Sequence, residues 1–175
     1  MTKSAETAHD LVVFGATSFV GQILTRYLLE TYGVGKSVKW AIAGRSESKL
    51  NALKSELGDN GKDLPVILAD ASDEAALKSM CEQTRVIIST VGPYALYGEP
   101  LVQACVRSGT DYCDLTGEVQ WIGKMVQRYE EEAKASGARI VHCCGFDSIP
   151  SDMGVWFLQN QAEQTFGEPC RDVRM

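Results

Sequence analysis

The sequence predicts an α/β chain built on a doubly wound parallel sheet, and three observations lead there. Six segments rich in β-branched and apolar residues alternate with segments of helical periodicity along 175 residues. The connections are all long enough for crossovers, which neighbouring parallel strands require. The run Val86-Ile87-Ile88-Ser89-Thr90-Val91 is β-branched nearly throughout, the composition of a strand covered on both faces. The expected strand order is 3-2-1-4-5-6.

The first strand is expected to start at Leu11 and run into a glycine turn. The helix after it carries Val20, Ile23, Leu24, Tyr27 and Leu28 at i, i+3, i+4, i+7 and i+8, a stripe expected to face the sheet, and stops near Gly33 and Gly35. Residues 38–43 form the second strand. Ser46 then caps a helix whose Leu50, Leu53 and Leu57 share a face, ended by Gly58-Asp59-Asn60-Gly61. Residues 65–70 read as the third strand, and Ser72 or Asp73 caps a helix through Leu77, Met80 and Cys81. After the fourth strand, Pro100 opens a helix buried through Leu101, Val102, Cys105 and Val106 and ended by Gly109. Residues 112–115 are a short fifth strand. A helix from Val119 to Ser136 buries Trp121, Ile122, Met125, Val126, Tyr129 and Ala133, and Gly137 closes it. Residues 139–143 form the sixth strand, and Ser151 caps a last helix bearing Val155, Trp156 and Leu158.

The turn after the first strand carries the most specific chemistry. Leu11-Val12-Val13-Phe14 runs into Gly15-Ala16-Thr17-Ser18-Phe19-Val20-Gly21 and straight into a helix, whose first-turn N–H groups attract anions. Residues 15–21 are therefore expected to surround a pyrophosphate. The spacing is Gly-x-x-Ser-x-x-Gly, and Ser18 stands where the extended fingerprint has its middle glycine. Its hydroxyl is a candidate donor to a phosphate oxygen. A left-handed backbone there would cost about 1–2 kcal/mol. A tight strand-to-helix turn without ligand produces the same pattern, so the flanking residues carry the decision.

The second strand ends in Gly44-Arg45, where an NAD-binding chain usually has a carboxylate for the ribose 2′-hydroxyl. Arg45 instead suits the 2′-phosphate of NADP(H), and Gly44 leaves room for it. Asp70, at the end of the third strand, is placed either to accept from the adenine amine or to serve its own turn. Thr90, Val91, Gly92, Pro93 and Tyr94 follow the fourth strand and are expected to border the nicotinamide.

Hydride transfer needs a donor carbon held against an acceptor and an acid to protonate the product. The candidate acids are Tyr94, Tyr97, Asp114, Glu118 and Asp147, with Tyr94, Asp114 and Glu118 foremost. Packing for Tyr94 and helix capping for Asp114 and Glu118 are the alternatives. Tyr32 and Lys36 have Tyr-x-x-x-Lys spacing, but on a glycine-broken connection instead of a helix. Gly35-Lys36-Ser37 lacks the leading glycine of a P-loop, since Glu30 occupies that place.

A formal net charge of −6 and a pI near 5.0, with Lys and Arg scattered, argue against nucleic acid as a partner. With 45% hydrophobic and 23% charged residues, the chain reads as one globular domain without room for a second. The first ten residues have no apolar core for a signal peptide, and no apolar run approaches the roughly 18–20 residues of a membrane helix. Six cysteines form no Cys-x-x-Cys pair. Cys143 and Cys144 read as buried reduced thiols on a strand, which suits the cytoplasm. His142 beside them would point to the opposite face from its neighbour, so no metal site is expected.

Three groups of segments carry a family resemblance: Gly15 through Gly21 with Ala43-Gly44-Arg45; Gly92-Pro93-Tyr94 with Tyr97-Gly98; and Tyr112-Cys113-Asp114-Leu115-Thr116-Gly117-Glu118 leading to Gly145-Phe146-Asp147-Ser148-Ile149-Pro150-Ser151-Asp152. With them the chain resembles the NADP-binding half of the saccharopine dehydrogenase-like oxidoreductases, including the trans-acting enoyl reductases. Ser18 departs from the glycine common in related fingerprints. The resemblance implies a Rossmann domain over residues 11–152 after a polar tail at 1–10. Residues 153–175 would then begin the connection to a second α/β domain outside this chain. It further implies an NADP(H)-dependent oxidoreductase acting on a C=C or C=N bond of a small-molecule or lipid-linked substrate, with a homodimer formed through the second domain. A non-catalytic NADP-binding sensor or interaction module would keep every cofactor residue. An epimerase-like enzyme with retained NAD would need the Tyr-x-x-x-Lys dyad.

Overall fold

The alternating pattern becomes alternating structure. A computed structural model describes residues 7–174. Among the described residues, six parallel strands form one sheet: β1 (His9–Phe14), β2 (Trp40–Gly44), β3 (Val66–Leu68), β4 (Thr84–Ser89), β5 (Asp111–Asp114) and β6 (Ile140–Val141). Their order is β3-β2-β1-β4-β5-β6, as predicted. The helices are α1 (Phe19–Tyr32), α2 (Glu47–Glu56), α3 (Glu74–Glu82), α4 (Tyr94–Tyr97), α5 (Glu99–Ser108), α6 (Val119–Ser136) and α7 (Ile149–Phe166). The single turn α4 was not anticipated, and residues 1–6 of the predicted polar tail lie outside the described residues.

Successive residues of β1 point to opposite faces and enter two different cores. Val12 joins Ile87, Leu77, Met80, Leu101, Val102, Trp121 and Met125 on the side of α3, α5 and α6. Val13 joins Ile42, Leu28, Leu50 and Leu53 on the side of α1 and α2. Each such aliphatic side chain contributes roughly 1.5–3 kcal/mol by leaving water. The capping predictions hold for Ser46, which accepts from Lys49 N–H, and for Asp73, which accepts from Ala76 N–H.

Four expectations need correction. The buried stripe of α1 is Gly21, Thr25 and Leu28, while Val20, Ile23 and Tyr27 are 39%, 51% and 55% exposed. Small residues win the inner face because the helix sits too close to the sheet for large ones, and Thr25 satisfies its hydroxyl on Gly21 O at 2.7 Å. On α6, Val126 is likewise exposed. Ser151 lies inside α7, whose N-cap is Ser148 and whose first turn holds Pro150. Cys143 and Cys144 are not on a strand: β6 ends at Val141, Cys143 turns to φ +62, and Cys144 is exposed. The departure has a cause in Asp114, whose Oδ1 accepts from Cys143 N–H at 3.1 Å and whose backbone O accepts from Cys144 N–H at 2.7 Å.

Candidate cofactor groove

β1 ends against a turn that only glycine fits. Gly15 has φ +86, and a Cβ there would lie 2.6 Å from Val91 Cγ2 and 2.8 Å from Thr90 Oγ1. Gly21 seats α1 on this turn, since a Cβ on it would lie 2.3 Å from Gly15 O. The first turn of α1 thus stands directly over the end of β1, with Gly21 N–H taken by Ser18 Oγ and Gln22 N–H by Ser18 O.

Ser18 occupies the middle position with φ −70 and ψ 165, an extended backbone, so the anticipated left-handed cost does not arise. Its Oγ accepts from Gly21 N–H at 3.0 Å and lies 2.9 Å from Thr90 Oγ1. Thr90 Oγ1 donates to Gly15 O at 2.9 Å, which leaves the Ser18 proton to Thr90. Ser18 therefore caps the helix, and its hydroxyl is already engaged with Thr90.

A groove of about 460 Å³ runs over these strand ends and collects Gly15, Thr17, Ser18, Gly44, Arg45, Asp70, Thr90, Val91, Gly92 and Tyr97. The other residues expected around the dinucleotide are not on its wall. Ala16 is fully buried in the core, Gly21 serves helix seating, Phe19 is 81% exposed, Val20 lies on the outer face, Pro93 is exposed off the groove wall and Tyr94 is buried. Arg45 is exposed at the tip of β2. Asp70 serves its turn, with Oδ1 accepting from the Ser72 hydroxyl at 2.7 Å and the Ser72 N–H at 2.9 Å. Those bonds, with the Arg45 charge behind them, hold its carboxyl below the usual range. The fit to a dinucleotide rests on two positions that exclude a Cβ, a helix start beside them, and a guanidinium on the wall of an open groove.

The three foremost candidate acids are engaged inside the protein. Tyr94 is 5% exposed and its hydroxyl donates to Ser89 O at 2.9 Å, away from the groove. Burial pushes its pKa up to about 12. Glu118 clamps the start of α4, Oε1 accepting from Tyr94 N–H at 2.7 Å and Oε2 from Ala95 N–H at 2.8 Å. Asp114 is 2% exposed; Oδ1 accepts from the N–H groups of Thr116 and Cys143, and Oδ2 accepts from the Tyr112 hydroxyl at 2.9 Å and meets His142 Nδ1 at 2.7 Å. Asp147 stays exposed beside Gly117.

The Asp114–His142 pair escaped the sequence reading, which had set His142 aside. Its only signal was that both residues fall at the carboxyl ends of successive parallel strands. Among the described residues, no group of three metal-ligating side chains converges, and no helix is long and apolar enough to cross a membrane.

Known proteins are similar to this chain. A family model described as the saccharopine dehydrogenase NADP binding domain matches residues 11–141. The trans-acting enoyl reductase of Mycobacterium tuberculosis (strain H37Rv) is 44% identical over 167 residues, which are 95% of this chain and 39% of that protein. That of Mycobacterium leprae is 43% identical over 162 residues, 92% of this chain and 38% of that protein. This chain thus spans well under half the length of these curated relatives. Apo saccharopine dehydrogenase (L-Glu forming) from Saccharomyces cerevisiae shares the fold, with a TM-score of 0.71 at 18% identity over 89% of this chain and 32% of that one. With its glycine-seated turn, its groove and a family match across nearly the whole sheet, this chain belongs to the saccharopine dehydrogenase NADP-binding domain family.

Proposed function

We propose that this chain is the NADP(H)-binding domain of an oxidoreductase that reduces a C=C or C=N bond of a small-molecule or lipid-linked substrate in the cytoplasm. The observation that supports it best is the groove itself, with the Gly15 turn at its centre and Arg45 at its β2 end. The first turn of α1 binds the pyrophosphate through backbone N–H groups. Arg45 takes the 2′-phosphate, and Val91 and Gly92 border the nicotinamide. The bound dinucleotide supplies the hydride; the residues of this chain orient it and shield it from water on one side. The relatives' names support the reductase reading, and the acceptor is held by protein outside residues 7–174.

Titration of NADPH and NADH against this chain, followed by nicotinamide fluorescence, tests the reading. A charge-assisted contact at Arg45 contributes about 1.5–3 kcal/mol, so NADPH binds roughly ten- to a hundredfold more tightly, and Arg45→Ala removes the difference. Equal affinities that Arg45→Ala leaves unchanged would overturn it. A second reading, a binding module without turnover, draws on the internal engagement of Tyr94, Asp114 and Glu118. Tight NADPH binding without oxidation over a panel of enoyl and imine substrates by the full-length protein favours the module.

A further inference from the structure

α4 is one turn of helix, too short to persist on its own hydrogen bonds, yet it is pinned on three sides. At its start the two Glu118 oxygens take the N–H groups of Tyr94 and Ala95 at 2.7 and 2.8 Å. Beneath it the Tyr94 hydroxyl is anchored on Ser89 O. At its end Gly98 lies flat on Trp121, where a Cβ would come within 2.6 Å of Trp121 Cζ2 and 2.8 Å of Tyr94 O. The residues left outward are Ala95, Leu96 and Tyr97, and of these Tyr97, 48% exposed, lines the groove together with Val91 and Gly92.

Its position along the groove decides what it meets. The groove crosses the sheet from Asp70 and Arg45 at the ends of β3 and β2, past the Gly15 turn on β1, to Thr90, Val91 and Gly92 beyond β4. If Arg45 marks the phosphorylated adenosine end, Tyr97 stands at the other end, where a dinucleotide presents its second ring. An aromatic face fixed there gives contact area at little entropic cost, because only two side-chain torsions remain to be ordered.

Resting on the reading of this groove as an NADP(H) site, we propose that Tyr97 is the aromatic wall of its nicotinamide end and that Glu118 is the positioning residue that holds it there. Glu118 acts through the backbone of α4 and touches no ligand. The sequence pair Tyr94 and Tyr97 thereby divides its labour, with the first ring turned into the core and the second toward the groove.

Calorimetric titration with two ligands separates the possibilities. NADPH spans the groove, whereas adenosine 2′,5′-bisphosphate carries the phosphorylated adenosine and no nicotinamide. Tyr97→Ala is expected to weaken NADPH about tenfold while the bisphosphate stays within about twofold. Tyr97→Phe keeps the ring and binds both ligands as the wild type does. Glu118→Ala follows Tyr97→Ala, losing NADPH and sparing the bisphosphate. If Tyr97→Ala leaves NADPH unchanged, or weakens both ligands alike, the assignment of Tyr97 falls while the groove reading stands. If the wild-type chain binds neither ligand, the groove reading falls and takes this inference with it.

Discussion

Alanine at Gly21 adds one methyl group where α1 rests on the end of β1. Its Cβ would lie 2.3 Å from Gly15 O, 2.8 Å from Ala16 Cα and 2.9 Å from Ala16 C. All three are backbone atoms, so no side chain can rotate away. The helix must lift by about 1 Å before these contacts approach the ordinary separation of ~3.5 Å. Overpacking by one methyl group costs about 1–3 kcal/mol, and the better helix propensity of alanine offsets up to about 1 of that. A net loss of about 1–2 kcal/mol lowers the thermal midpoint by roughly 2–8 °C in a chain of this size. Lifting α1 also shifts its first turn, which the proposed reading sets against the pyrophosphate. Losing one charge-assisted bond of about 1.5–3 kcal/mol there weakens NADPH about tenfold or more. Thermal circular dichroism and NADPH fluorescence measure the two effects on one sample. Gly35→Ala is the control: its φ is +66 but nothing lies within 4 Å, so it is expected to cost some stability and no affinity. A Gly21→Ala protein with wild-type midpoint and affinity would refute the seating of α1 on the Gly15 turn.

Three further outcomes are expected. Ser18→Ala removes an N-cap and costs about 1 kcal/mol of stability, yet keeps NADPH affinity within about twofold, because the hydroxyl is spent on Thr90. A large affinity loss in calorimetry would restore the phosphate-donor role. Asp114→Asn keeps one oxygen for the Thr116 and Cys143 N–H groups but puts an NH2 where Oδ2 meets the Tyr112 hydroxyl and His142 Nδ1, and mispairing this buried group costs about 1–3 kcal/mol, read as a shift of the urea midpoint. Tyr94 has its folded pKa raised, to about 12, by burial, so its stabilisation is complete below its ordinary pKa of 10.0 and is lost as pH rises through that interval. Tyr94→Phe loses about 1 kcal/mol at neutral pH with the bond to Ser89, and its stability falls less steeply than wild type above pH ~10. Parallel alkaline slopes for the two proteins would contradict that account.

Local signals were legible along most of the chain. Strand composition, the Gly15 turn, Ser46 and Asp73 at helix starts, and Gly109 and Gly137 in left-handed conformation at helix ends depend on neighbours within a few residues. Strand order was legible as well, because crossover handedness leaves few arrangements for alternating elements. The face of α1 was misjudged because hydrophobicity favoured Val20, Ile23 and Tyr27. Close approach to β1 instead favoured the small Gly21 and Thr25. The last helix was misplaced for a related reason, since Ser151 resembles a cap only while Pro150 is read as lying outside the helix.

A parallel nucleotide-binding sheet, its glycine turn and a cation at the second strand's tip could each be read from the chain alone, because each is encoded within a short window. Which polar groups are engaged with one another depends instead on long-range packing. Ser18 meets Thr90 across 72 positions, Glu118 reaches back 24 positions to Tyr94, and His142 meets Asp114 across 28. A hydrogen bond forms only where atoms come within about 3 Å, and between elements so far apart in the chain that distance is set by packing.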